Sequence, residues 1–320
     1  MSFEDKYAIE HVSRILEEHS YQSPRDSVWH YTAAPGLEAI TQNKSIRTTH
    51  YSCFNDKMEV ILGYELMLRA VRTKNSNGDG EFDDVAELLS SLGRLCLGEI
   101  TPAIKYPPHS HPEAWITNTY EYYMACFSQA DDDVSQWMTY AGGEGGYALG
   151  FDPDELRKPI NLPPLTKVYF VPVVYKGSDQ RYIVNRFLDR TIEDFRLAKI
   201  HDPDFNESYH HNHAAKWLTA FSALACIFKQ EAFANEKEWR LLLCFSPLEQ
   251  EEMLRKMQFT PKAGLFARHY PATFKNFPLK HVKIGPSRYQ KVSERSLAYR
   301  LQQAGLHAQI ELSNATYQTV

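Results

Sequence analysis

Apolar residues recur along this chain in two rhythms, one helical and one of strands. Over residues 3–19, Tyr7, Val12, Ile15 and Leu16 gather on one helical face with acidic and basic residues opposite. At 28–31 the run Val-Trp-His-Tyr is aromatic and β-branched and predicts a short strand. A turn through Ala34, Pro35 and Gly36 follows, then a helix over about 37–43 that buries Leu37 and Ile40, then a second extended piece from Ser45. Pro35 suits a first helical turn, where its missing N–H would have no helical partner.

Downstream, Asn55 and Asp56 either cap an apolar run through Val60, Ile61 and Leu62 or hold a loop that covers a ligand. A polar, glycine-bearing stretch at 74–84 reads as a linker, 85–100 as a helix, and the proline-rich 101–113 as irregular. Strands are expected at 122–127, 147–151 and 167–176, with Pro172 marking the last as an edge or bulge. A helix over 134–140 and the glycine turn at 142–146 separate the first two. Helices at 185–200 and about 207–228 precede a buried strand at 237–245. The tail adds a strand at 279–285, a helix near 294–304 and a last strand at 307–312. The whole reads as one elaborated α+β domain over 1–320, with a core of 20–60 and 118–320 and a helical insertion at 60–117.

Composition changes this picture little. With 43% hydrophobic and 23% charged residues the chain is ordinary for a globular protein, and its net charge of −5 provides no steering field for nucleic acid. The five cysteines are odd in number and contain no C-x-x-C, which argues against a disulfide framework and a zinc knuckle and favours a reducing, cytoplasmic setting. No signal-peptide pattern and no run of about 18 apolar residues is present, so no membrane partner is expected.

Chemistry concentrates in three places. His30 ends the first strand beside a helix start, where outward N–H groups favour an anion such as a diphosphate. The stretch Glu236-Lys-Glu-Trp-Arg240 would put Glu236, Glu238 and Arg240 on one face of a strand, as a two-carboxylate site or as a salt-bridge ladder. Lys229 reads as a cation near a helix C-terminus that could meet a phosphate. His210 and His213 are three apart on a helix, without the spacing and glutamate of a zinc protease helix, and no metal is expected.

The segment WHYTAAPGLEAITQNKSIRTT resembles the opening of the ADP-ribosyltransferase superfamily and of the RNA 2′-phosphotransferases. More closely, through WHYT, FNDKME, CFSQADDDVSQWMTYAGGEGGYALGF, FKQEAFANEKEWRLLL and LKHVKIGPS, nearly the whole chain resembles domain of unknown function 2971, a bacterial family. The transferase resemblance implies a split, mostly antiparallel sheet and an NAD site. There His30 would bond the ribose, Trp137 stack on nicotinamide, and Glu238 hold the 2′-hydroxyl and stabilise the cation, with Glu236 activating the acceptor. It extends the cofactor-binding set to Tyr31, Thr32, Phe127, Ser128, Tyr140 and Arg240, with Phe127 or Cys126 standing where the transferases carry a tyrosine. The function so implied is NAD-dependent ADP-ribosyl transfer, or NAD hydrolysis, toward an unknown protein or nucleic-acid acceptor, in a toxin, effector or defence setting. The alternatives are a non-enzymatic nucleotide-binding module of the same fold, and a 2′-phosphotransferase-like RNA enzyme, which the absence of basic clusters disfavours.

Overall fold

A computed structural model describes residues 3–20, 24, 26–53, 58–76, 82–96, 120–142, 145–201, 209–262 and 264–315. Helix α1 (Phe3–Ser20) leads to the expected strand, helix, strand unit: β1 (Val28–Thr32), α2 (Ala34–Asn43) and β2 (Ser45–His50). α2 begins at Ala34, so the residues read as a turn form its first turn, with Pro35 where its missing N–H costs nothing. Gly36 is required there for space, since a Cβ would lie 1.9 Å from the Thr32 hydroxyl.

The chain continues through α3 (Met58–Ser76), α4 (Ala86–Cys96), β3 (Glu121–Ser128), α5 (Val134–Tyr140), β4 (Tyr147–Phe151), a short α6 (Pro153–Leu156) and β5 (Lys167–Pro172). Two long helices, α7 (Gly177–His201) and α8 (Tyr209–Ala225), precede β6 (Glu238–Phe245). After them come α9 (Gln250–Lys256), β7 (Gln258–Lys262), β8 (Leu265–Thr273), β9 (Leu279–Ile284), α10 (Gln290–Gln303) and β10 (Gln309–Leu312). The expected strand at 167–176 stops at Pro172, and β5 is an edge strand paired with β6. The β7–β8 hairpin was not expected from the sequence.

All ten strands among the described residues join one sheet, antiparallel except for the β9–β10 pair. β3 organises it. On one side β6 pairs along its whole length, from Glu121↔Phe245 to Ser128↔Glu238. The other side is shared: β2 holds one end through His50↔Tyr123 and Thr49↔Met124, and β1 the other through Trp29↔Ser128. The sheet therefore divides beside β3 into an arm β1-β4-β9-β10 and an arm β2-β8-β7.

Each face of the sheet carries its own core, as strand alternation requires. Tyr122 and Met124 of β3, with Leu242 and Cys244 of β6, pack under α1, α3, α4, α7 and α8. On the opposite face Tyr123, Ala125 and Phe127 meet Trp239, Leu241 and Leu243, together with Leu37 of α2, Met253 of α9 and Leu297 of α10. A small third cluster, Trp29, Tyr31, Trp137, Ala141 and Ala148, lies under α5. The described part of the expected insertion, α3 and α4, packs on α7 and α8 in the same helical layer. Asn55 and Asp56, and residues 77–81 and 97–117 of the expected insertion, lie outside the described residues. No described helix is long and apolar enough to cross a membrane.

α3 and α8 approach closely at Gly63, where a Cβ would lie 2.6 Å from Ala225 Cβ and 2.9 Å from its Cα. Gly63→Ala is therefore expected to lower stability by about 1–3 kcal/mol through overpacking. Urea denaturation checks this, and an unchanged midpoint would mean that the two helices do not touch at Gly63.

Candidate functional site

The register Ser128↔Glu238 brings the end of β3 and the start of β6 together where β1 meets the sheet. Glu238 and Arg240, two apart on a strand, share a face with Cys126 and Ser128 of β3, the face covered by the long helices. Glu236 does not belong to that strand, contrary to the sequence expectation. It ends a 3-10 turn, Glu231–Glu236, and the chain then passes through Lys237 in the left-handed region, φ 46°, before β6 begins. The two carboxylates still converge, because Lys229 sits between them.

Lys229 Nζ donates to Glu236 Oε2 at 2.5 Å and to Glu238 Oε2 at 3.0 Å. Arg240 approaches Glu238 from the other side, with Nε 2.7 Å from Oε1 and Nη2 3.1 Å from Oε2. All three are buried: Lys229 is 6%, Glu238 6% and Arg240 1% exposed. Arg240 Nη1 also donates to the Cys226 carbonyl at 2.5 Å, and the Glu238 backbone N–H donates to the Tyr175 hydroxyl at 2.9 Å. Burial alone would raise the Glu238 pKa, but Arg240 and then Lys229 overbalance it and bring it down to about 2. Lys229 is thus the centre of a buried ion cluster and not an exposed helix-end cation.

The other predicted residues separate into groups. Ser128 belongs to the cluster: its hydroxyl donates to the Glu236 carbonyl at 2.7 Å and accepts from Ala130 N–H. Tyr140, 47% exposed, reaches Glu236 Oε1 with its hydroxyl at 3.4 Å. Phe233, also exposed, has its ring 5.2 Å from Lys229 Nζ. Glu236 therefore turns one oxygen inward to Lys229 and the other toward a rim flanked by two aromatic rings.

Trp137, expected to stack on nicotinamide, is fully buried, with its Nε1 2.8 Å from Asp132 Oδ1 and its ring 4.7 Å from that of Tyr31. It is core, because α5 turns that face onto β1 and leaves Tyr140 outside. Tyr31 is also buried and shapes the acidic turn, its hydroxyl donating to the Ala130 carbonyl and accepting from Asp133 N–H. Phe127 packs between Phe151 and Phe170 in the opposite core. Strand alternation puts His30 and Thr32 on that opposite face too, since Trp29 is the residue aligned with Ser128 and Glu238. His30 Nδ1 lies 2.9 Å from the Cys126 carbonyl, and burial lowers its pKa while that contact opposes the shift. The structure thus joins Glu236, Glu238, Arg240, Ser128 and Tyr140 and leaves His30, Thr32, Phe127 and Trp137 apart from them.

Sequence reasoning missed Tyr175 and Gln180. Gln180 is buried on α7 and donates through Nε2 to the carbonyls of Val174 and Lys229, fixing the chain from which Lys229 projects. A buried glutamine on an otherwise apolar helix face is the signal that could have identified it. Of the histidine group, His210 pairs with Glu87 and His213 is buried in the helical layer, and no group of three or more metal-ligating side chains occurs among the described residues. Asp202 and Asp204 lie outside those residues.

Residues 136–241 match the model of a family described as Protein of unknown function (DUF2971). The match supports the resemblance to that family. It runs from α5 into β6, and so holds Tyr140, Lys229, Glu236, Glu238 and Arg240 together in the matched DUF2971 stretch. No curated protein and no solved structure matches the chain.

Removing the central carboxylate would leave Arg240 without its anion and the buried cluster with one net positive charge, since only Lys229 keeps a partner in Glu236. Glu238→Gln is expected to cost about 3–5 kcal/mol at pH 7. Because the folded-state pKa is depressed, Glu238's contribution is complete above about pH 4.3 and fades as the pH falls toward about 2. Denaturation of both proteins between pH 7 and pH 2 should show the deficit shrinking across that window, whereas a small, pH-independent deficit would contradict the arrangement.

Proposed function

We propose that the protein cleaves NAD at the nicotinamide–ribose bond and transfers ADP-ribose to a macromolecule or to water, with Glu236 as the working carboxylate. The observation that carries this reading is the division of labour within the pair. Glu238 has both oxygens engaged by Arg240 and Lys229, whereas Glu236 keeps one oxygen at the rim beside Tyr140. The split of the sheet beside β3, at whose end this rim lies, supports the same reading.

Breaking the glycosidic bond sends its electron pair to nicotinamide and leaves an oxocarbenium ion on the ribose. A carboxylate about 4 Å away at an effective dielectric near 20 stabilises that cation by roughly 4 kcal/mol, about a thousandfold in rate. Glu238, already neutralised by its two cations, contributes little of this directly; it positions Lys229, which holds Glu236. The acceptor then attacks the anomeric carbon and gives its proton to Glu236. Tyr140 supplies the flat surface expected of Trp137, worth about 0.5–1.5 kcal/mol in binding. His30, on the other face, has no part in this step.

A second reading is a non-enzymatic nucleotide-binding module of the same fold. It is favoured by the full engagement of Glu238 and the burial of Trp137.

Pure protein incubated with labelled NAD, with and without cell lysate, separates the two. Nicotinamide release from the wild type is expected to fall at least a hundredfold in Glu236→Gln, in protein whose melting curve shows it still folded at the assay temperature. The labelled fraction would identify the acceptor class. Saturable NAD binding without release under either condition would replace the enzyme with the binding module, and neither binding nor release would exclude both.

A further inference from the structure

At the far end of β3 from Glu238, roughly 23 Å along the strand, three side chains line up where β2 gives way to a 3-10 turn, Tyr51–Cys53. His50, the last residue of β2, is buried, and its Nε2 lies 2.9 Å from Glu121 Oε2. Its Nδ1 faces the turn, 2.7 Å from the Ser52 hydroxyl and 3.2 Å from the Ser52 backbone N–H. Ser52 itself is exposed to solvent.

The partners decide where the imidazole proton sits. A carboxylate only accepts, so the proton is on Nε2 and points at Glu121; a backbone N–H only donates, so Nδ1 presents its lone pair to Ser52. The Ser52 hydroxyl therefore donates to Nδ1. A hydroxyl donating to a neutral imidazole, whose other nitrogen is anchored on a carboxylate, is the arrangement that activates serine as a nucleophile. The two ring nitrogens stand in exchanged positions relative to the serine proteases, which leaves the chemistry intact, since either serves as base while the other holds the proton.

Arg268 of β8 completes the group. Its Nη1 holds Glu121 Oε2 from 3.1 Å, and its Nη2 lies 2.9 Å from His50 Nδ1 and 3.3 Å from Nε2. A nitrogen that close to both ring nitrogens sits over the imidazole face and not along either lone pair. It places a cation beside the base, where an acyl oxygen attached to Ser52 would gather charge. The rings of Tyr51 and Tyr123, 4.4 and 5.2 Å from that of His50, enclose the imidazole further. A serine that merely caps a turn needs an acceptor, but not a base held by an acid and flanked by a cation.

We propose that Ser52, His50 and Glu121 form a second, hydrolytic site that cleaves small carboxylic esters. Ser52 Oγ attacks the ester carbonyl and its proton passes to His50 Nδ1, while Glu121 holds the imidazolium and Arg268 faces the oxyanion. The carbonyl re-forms as the ester C–O bond breaks, and the departing alkoxide takes the proton from Nδ1. Water then attacks the acyl-serine and gives its proton to Nδ1. The carboxylic acid is released as Ser52 leaves and recovers that proton, so water is the sole co-reactant.

The test treats the whole protein with diisopropyl fluorophosphate, which phosphorylates an activated serine with loss of fluoride, and locates the label by peptide mass. Hydrolysis of p-nitrophenyl acetate is followed on the same preparations. Ser52 should be labelled while Ser90 and Ser178, equally exposed but without a histidine, are not. Both the label and Ser52→Ala should abolish p-nitrophenol release above the uncatalysed rate, and His50→Gln should slow the labelling about a hundredfold. No label at Ser52 of the wild type, or hydrolysis no faster than in Ser52→Ala, would overturn the proposal whatever the fate of His50→Gln. The readout involves no NAD, so it stands or falls apart from the reading of Glu236.

Discussion

Burying Lys229 and Arg240 within a few ångströms of a sheet core costs several kcal/mol of lost hydration per ion unless an anion and further acceptors meet them. Glu238 is that anion, and the carbonyl of Cys226 receives what Arg240 still has to donate. The requirement reaches well beyond the side chains. Lys229 must leave the end of α8 at a fixed point, which Gln180 secures, and β6 must begin at Glu238 and no earlier, which the left-handed turn at Lys237 secures. Because β6 pairs with the whole of β3, and β3 carries both arms of the divided sheet, the ion cluster sits at the joint of the fold.

The same cluster decides which of its groups is available for chemistry. A carboxylate held near pKa 2 by two cations serves best as an anchor, and Glu238 is so held. Glu236 shares one cation and opens toward Tyr140 and Phe233, so the asymmetry between two acids two residues apart comes from one backbone turn. Ser128 bonds the Glu236 carbonyl, which makes that turn part of the site's frame. At the other end of β3, His50, Glu121 and Arg268 join β2, β3 and β8 in a comparable way.

Much of the fold was legible because its strands and helices announce themselves by period. β1, α2, β2, β3, α5, β4 and β6 stand within a few residues of the positions their hydrophobic patterns predict. The β7–β8 hairpin was hidden by Pro261 and Pro271, which argue against paired strands. Pro261 is tolerated on the edge strand β7, and Pro271 lies beyond its end, where Asn161 bonds the Pro271 carbonyl and the Thr273 N–H in place of a neighbouring strand. Of the site, the glutamate pair and Arg240 were legible from spacing, but the roles were not. Whether Trp137 or Tyr140 faces solvent depends on how α5 is rotated over β1, and whether His30 shares a face with Glu238 depends on register. Both are set by contacts far apart in sequence.

The claim that most depends on geometry is that Lys229 and Glu238 form one energetic unit. A double-mutant cycle measures it directly, combining Lys229→Met and Glu238→Gln and following urea unfolding at pH 7. Each single change leaves the cluster of Lys229, Arg240, Glu236 and Glu238 with one net buried charge and the pair together restores neutrality, so a coupling of about 2 kcal/mol or more is predicted, with the double variant more stable than the sum of the singles allows. Additivity within about 0.5 kcal/mol would contradict it and would leave Lys229 and Glu238 as neighbours without mutual dependence.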